Sequence, residues 1–294
     1  MSLGAMWTES AQFRSFLGHS GVLRMESRTR TAAGVRFWVL LCFASRLAGL
    51  KDDGGGWFRE TDFRLEDEGR CNLDVLDASV LSHQQFLDRY AFSRPLVLRG
   101  LTDNSKFRRL CSRSSLLREF GSRRVKLSTA NTHSYRKVEV PFQEFVDVHL
   151  KPQSADALGS DTLYFFGDNN FTEWESLFQQ YEAPPYDLPH SSGAYSFGIA
   201  GAGTGVPFHW HGPGFSEVIY GRKRWFLYPP ESQPHFHPNR TTLSWLTETY
   251  PHLPEDEAPL ECTIRPGEVL FFPDRWWHAT LNLDTSVFIS TFLG

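Results

Sequence analysis

Apolar positions first fall into a regular pattern near Leu76. The stretch before it opens on Lys51, Asp52, Asp53 and three glycines and continues with mixed charge. Residues 51–75 therefore read as a solvated linker. Ser82 and Gln85 stand at capping-box spacing ahead of Phe86, Leu87, Tyr90 and Ala91, the apolar stripe of a short helix. Arg94 to Gly100 predicts a strand entered through Pro95 and closed by glycine. A second helix is expected from Ser114 to Gly121, its C′ residue. Strands over 125–129 and 162–166 flank a helix over 142–150, and a further helix over 173–181 ends before Pro184 and Pro185.

From Ala194 the period shortens to two. Strands are expected over 194–200, 206–211, 217–220 and 224–228, followed by a long polar excursion over 229–259. Four more follow, over 261–265, 269–272, 278–283 and 286–292. Such a run of short strands with glycine at the corners predicts a jelly roll or double-stranded β-helix behind a helical preface. The fold class is mainly β with helices (α+β), in one domain over 76–294.

The first fifty residues have a different texture. Arg28, Arg30 and Arg36 precede the compact apolar block Phe37–Ala44 and the small residues Ala48 and Gly49, the layout of a secretory signal peptide. Residues 1–24 read as an extension, with Met25 the more natural start. The block is shorter than the ~18–20 apolar residues of a membrane span. A mitochondrial presequence is the rival reading, since arginine is frequent and acids are few. Asn170-Phe171-Thr172 and Asn239-Arg240-Thr241 are N-glycosylation acceptor triplets, in keeping with passage through the endoplasmic reticulum lumen. Beyond Cys42, the cysteines Cys71, Cys111 and Cys262 allow one bridge and one free thiol, the pairing open.

Composition adds two constraints. The chain has 25 Phe, 9 Trp and 9 Tyr, a stock that suits a strand-rich core. Its net charge of −4 removes the electrostatic ground for a nucleic-acid partner.

Candidate chemistry gathers around three histidines. His209 and His211 lie two apart in an expected strand, so they share a face about 6–7 Å apart along the backbone. His278 begins a late strand that a jelly roll brings beside an early one. Imidazole nitrogens suit Fe, Zn, Cu or Ni. His235 and His237, in a proline-rich loop, read as surface residues, and Trp276 and Trp277 as core packing.

With these residues in place the chain resembles the JmjC (jumonji C) family of cupin-fold 2-oxoglutarate oxygenases, its small JmjC-only members in particular. The resemblance rests on the Arg94–Gly100 strand, Thr162–Phe166, the histidine segment, Gly221–Trp225 and Gly267–Asn282, where Arg275 stands in place of a usual glycine. It implies a facial triad for Fe(II), with His209 and His278 matching two ligands. It also implies that Lys223 and Tyr164 bind the far carboxylate of 2-oxoglutarate; the plain alternative for Lys223 is an exposed hairpin charge. His211 stands where the family carries Asp or Glu, and Val206 where related hydroxylases often carry a hydroxyl. Glu217, a possible substitute carboxylate, reads instead as a surface acid of its strand.

Two functions follow from the resemblance. One is an Fe(II)/2-oxoglutarate-dependent hydroxylase of a protein substrate in the secretory pathway. The other is a cupin that has given up that chemistry and serves as a regulatory or protein-interaction factor in the endoplasmic reticulum lumen. A nuclear histone demethylase fits poorly, given the signal-like N-terminus and the acidic balance.

Overall fold

The first helix begins as the pattern predicts. In this computed structural model, which describes residues 53–57, 65–134, 136–167 and 171–294, Ser82 Oγ accepts from the Gln85 N–H and Gln85 Oε1 accepts from the Ser82 N–H. The reciprocal cap satisfies two donors that a helix start otherwise leaves unpaired. Helix α1 (His83–Arg89) then buries Phe86 against Tyr186 and Phe271, and strand β2 (Leu96–Arg99) follows. The signal-like segment and Asn170 lie outside the described residues.

Helices α2 (Ser105–Leu110), α3 (Arg113–Phe120), α4 (Phe142–Glu144, continued by a π-helical turn over Phe145–His149) and α5 (Phe171–Phe178) surround the early strands β3 (Arg124–Thr129), β4 (Lys137–Pro141) and β5 (Leu163–Phe166). Their apolar faces meet in one aromatic core. Trp174, buried, stacks on Phe120 at 4.2 Å and meets the Phe142 ring edge-on at 5.5 Å. Ring pairs of this geometry add about 0.5–1.5 kcal/mol each to the area they bury. Helix α2 falls where no helix was expected, because its stripe of Phe107 and Leu110 is too short for periodicity to register.

The later chain supplies β6 (Gly193–Ala200), β7 (Gly214–Tyr220), β8 (Lys223–Tyr228), β9 (Leu260–Ile264), β10 (Glu268–Phe272), β11 (Trp277–Asn282) and β12 (Ser286–Leu293). With β1 (Asp74–Asp77) they form a nine-stranded sheet in the order β1-β2-β10-β7-β12-β6-β5-β3-β4 and a three-stranded sheet β11-β8-β9. Every pair is antiparallel except β1–β2. The large sheet sends alternate residues to opposite sides. Phe197, Ile199, Ile219, Val287 and Ile289 join the helix-side core, whereas Phe288, Ser290 and Phe292 of β12 line a chamber shared with the small sheet. Within the polar excursion, Thr241 caps a helix, α6 (Thr242–Glu248), and Trp245 anchors it against Phe208 and Phe226.

The described part of the segment expected to be a solvated linker, residues 53–57 and 65–75, is instead tied to the domain. Trp57, Leu65 and Leu73 are buried, and Cys71 is disulfide-bonded to Cys262 of β9, leaving Cys111 as a buried free thiol. Several described charges of this strap are paired. Glu68 bridges Arg222 and Arg265, and Arg70 reaches Glu261, which also holds the buried Arg224 at 2.6 Å. Arg224 lies over the rings of Phe226 and Tyr250 as well. A buried ion pair is held only where hydrogen bonds satisfy both ends, and Tyr250 Oη donates to Glu261 to complete that set.

Candidate metal centre

The first two histidines do not stand on a regular strand, contrary to the period-two expectation. Residues 203–211 run beside β11, with Asn282 N–H donating to Thr204 O and Thr280 N–H to Val206 O. The next rung joins His278 N–H to His209 O and His209 N–H to His278 O. Two residues on β11 thus face three on the partner. That is a one-residue bulge at Pro207 and Phe208, placed where proline has no N–H to give. Such a slip exchanges the faces of every later side chain. It turns His209 and His211 into the chamber and sends Phe208 to the core under α6. The bulge also demands glycine just upstream. A Cβ at Gly205 would sit 1.7 Å from Thr280 O.

Three rings converge at this point. Centroids are 4.3 Å apart for His209–His278, 4.7 Å for His211–His278 and 5.5 Å for His209–His211. One ring nitrogen of each lies within 4.8 Å of those of the other two, and His278 Nε2 is 3.2 Å from His211 Nε2. Each opposite nitrogen is committed to a backbone carbonyl. His209 Nδ1 meets Pro207 O at 2.8 Å, His211 Nδ1 meets Gly212 O at 2.8 Å and His278 Nδ1 meets Trp276 O at 2.9 Å. A carbonyl can only accept, so every Nδ1 carries the proton and every Nε2 presents a lone pair inward. Burial reinforces the neutral form. It pushes the His209 pKa down to about 4, lowers that of His211 and drives that of His278 well below the ordinary value. Three convergent neutral lone pairs, each fixed from behind, make a donor set for a divalent transition metal.

Opposite the histidines lies a buried cation. Lys223, expected as either a cofactor anchor or an exposed hairpin charge, is 3% exposed, with Nζ 3.1 Å from Asn282 Oδ1 and 3.9 Å above the Phe288 ring. Burial lowers its pKa to about 7. Tyr164 lines the same chamber from β5 and Val206 closes it near His209. Lys223 and Trp225 on β8, with His278, Thr280 and Asn282 on β11, make up the small-sheet wall, each two residues from the next. Trp225 was missed as a lining residue, although its spacing from Lys223 carried the signal.

Glu217 lies elsewhere. The surface acid expected on β7 is 3% exposed on the helix side of the sheet, where Asn104 Nδ2 and Tyr181 Oη donate to Oε2 at 3.0 and 3.1 Å. It is no part of the histidine cluster. Trp276 is buried in the core and Trp277 packs partly against it, while His235 and His237 are exposed. Asn239 is half-buried, its Oδ1 accepting from the Ser160 N–H at 3.1 Å. Among the described residues no helix is long and apolar enough to cross a membrane.

Comparison with known proteins places this geometry among relatives. A family described as Cupin-like domain matches residues 83–292. The human "JmjC domain-containing protein 8" is 63% identical over 257 residues, covering 87% of this chain and 96% of that protein. The "Bifunctional arginine demethylase and lysyl-hydroxylase psr-1" of Caenorhabditis elegans is 24% identical over 254 residues, 75% of this chain and 61% of that protein. Among solved structures, the ribosomal oxygenase YcfD of Escherichia coli in complex with cobalt and succinic acid superposes with a TM-score of 0.45 at 16% identity. That match covers 73% of this chain and 52% of the other.

Proposed function

The chain belongs to the Cupin-like domain family, among its JmjC members, and from that premise we propose a metal-dependent oxygenase that takes 2-oxoglutarate and hydroxylates a protein in the secretory pathway. One observation carries the reading: three imidazole lone pairs converge on one point in a chamber whose far wall holds a buried lysine. The residues fit the groups the family implies. His209, His211 and His278 would hold Fe(II), whose chemistry there is the activation of dioxygen. Lys223 would hold the distal carboxylate of 2-oxoglutarate, with Tyr164 beside it. An ammonium in so dry a place is stabilised by an arriving anion.

The protein's own groups bind, orient and keep water out. Asn282 Oδ1 accepts from Lys223 Nζ and its Nδ2 donates to Thr204 O, which fixes the ammonium across the chamber from the histidines. Phe166, Phe288 and Phe292 supply apolar walls. The bifunctional relative, by its name, acts on arginine and lysyl groups, which supports a protein as the substrate here. The Cys71–Cys262 bridge supports an oxidising lumen rather than the mitochondrial alternative. Within that proposal Asn170 and Asn239 are glycan acceptors, testable by a mobility shift on deglycosylation.

The test of the chemistry is elemental analysis of purified protein together with succinate release from 2-oxoglutarate. Bound iron and turnover that vanish in His278→Ala support the reading; metal-replete protein that never consumes 2-oxoglutarate refutes it. A second reading, an interaction factor without the reaction, is favoured by the imidazole of His211 in the carboxylate position and by the apolar wall of Val206. It requires that His211→Ala keep the parent's activity in cells.

A further inference from the structure

Two polar side chains on β8 enter the chamber from the same face, and only one of them has a partner. Lys223 Nζ rests on Asn282. Trp225, two residues on, is 4% exposed, and its indole Nε1 has no hydrogen-bond partner among the described residues although it is fully buried. Its ring lines the chamber between the two functional groups. The Lys223 ammonium is 6.0 Å from the indole centroid, the His278 ring is 5.7 Å from it, and Phe272 stacks on it at 5.8 Å. An indole N–H donates and cannot accept, and a donor left unpaired in the interior costs free energy that folding alone does not recover. The fold could have placed phenylalanine here, as it does at Phe272, Phe288 and Phe292 around the same space. An orphan donor in a side chain that lines the chamber calls for an acceptor that arrives later.

We propose that the Trp225 indole N–H is a ligand donor of the chamber, making no hydrogen bond within the described fold and donating to a carboxylate oxygen of the bound dicarboxylate alongside Lys223. This inference rests on the functional reading above and adds an anchor to it. Lysine supplies the charge, and the indole supplies direction. An ammonium binds as a point charge with three rotatable donors, whereas an indole N–H points one way from a ring locked by its stacking. Together they would distinguish a carboxylate held at one angle from any anion of similar size.

The experiment is titration of 2-oxoglutarate into anaerobic, Fe(II)-loaded full-length protein by calorimetry, for wild type, Trp225→Phe and Lys223→Met, with metal content and unliganded Tm measured on each. Trp225→Phe is expected to weaken 2-oxoglutarate about tenfold, one hydrogen bond's worth. Bound iron should be unchanged; the unliganded Tm, which loss of a buried ring lowers in any case, is read only to confirm that the variant is folded. Unchanged affinity in Trp225→Phe, with Lys223→Met deficient, overturns the indole's role and leaves the oxygenase reading standing. Wild-type protein that holds iron but takes up no 2-oxoglutarate defeats both.

Discussion

Glu217→Gln isolates one carboxyl buried far from the histidines. In the folded protein burial raises the Glu217 pKa from 4.5 to about 7, against the opposing effect of Tyr181 and Asn104, which donate to it. Glu182 adds a small push in the same direction as burial. Because the folded pKa is the higher one, the folded state binds the proton more tightly, and stability is fully present below pH 4.5 and lost as pH rises through 7. A displacement of about 2.5 units corresponds to about 3 kcal/mol at alkaline pH. Glutamine is neutral throughout, and its carbonyl can take the place of Oε2, on which both donors converge. The variant should therefore match wild type near pH 4.5 and exceed it by about 3 kcal/mol above pH 8, a rise in Tm of roughly 6–12 °C. Only the difference between the two proteins is informative. Lys223 and the three histidines, with lowered pKa values, give the opposite slope in both and cancel. The assay is chemical denaturation of both proteins from pH 4.5 to 8.5. A difference that stays flat across that range, or favours wild type at high pH, refutes the account of a carboxyl held protonated by burial.

Gly205→Ala should fold, by circular dichroism, yet lose most of its bound metal, since the added methyl drives the bulge off β11 and separates His209 from His278; retained metal counts against the bulge as the device that aims the site. Cys71→Ser should lower stability by about 3–5 kcal/mol, the usual scale for a bridge closing so long a loop, read as a reduced denaturation midpoint. In the wild-type protein the Cys111 thiol should stay silent to an impermeant alkylating reagent, because it is buried. Retention of bound metal should persist below the ordinary imidazole range, because burial lowers the pKa of His209, His211 and His278 and weakens proton competition for their lone pairs; a steep loss starting at pH 6.5 would mean that the imidazoles are solvated.

The strand-rich half was legible because its alternation survives in β12, β11 and β8, where one face is chamber and the other core. The histidine cluster was legible for a different reason, the spacing of polar residues around a strand corner. The bulge was not. Pro207 and Phe208 read as ordinary strand residues until the β11 rungs fix their count, and only the misaligned rung makes His209 face inward. Glu217 was misplaced because all seven residues of β7 are buried, so polarity no longer marks an outer face. The strap was misread for the converse reason. Its charges face Arg222, Arg224, Glu261 and Arg265, partners up to 197 residues away that no local pattern carries.

Charge bookkeeping explains why an imidazole in the carboxylate position need not dismantle such a site. Among the described residues no acidic side chain lines the chamber. With a carboxylate among the ligands, a divalent cation, Lys223 and a dianionic cosubstrate sum to zero; with His211 in its place the same assembly carries one surplus positive charge. In a dry chamber that surplus is costly to leave unopposed, so the balance shifts toward holding the anion and away from holding the metal alone. On the proposed reading a weaker metal side would be offset by rigidity: each imidazole is pinned from behind by a carbonyl, and two share a backbone rung. The anion side would be strengthened by a lysine whose burial leaves it wanting a counter-charge. On the proposed reading metal and dicarboxylate therefore bind as a mutually dependent pair, each supplying the charge the other needs, which a site with its own carboxylate would not require.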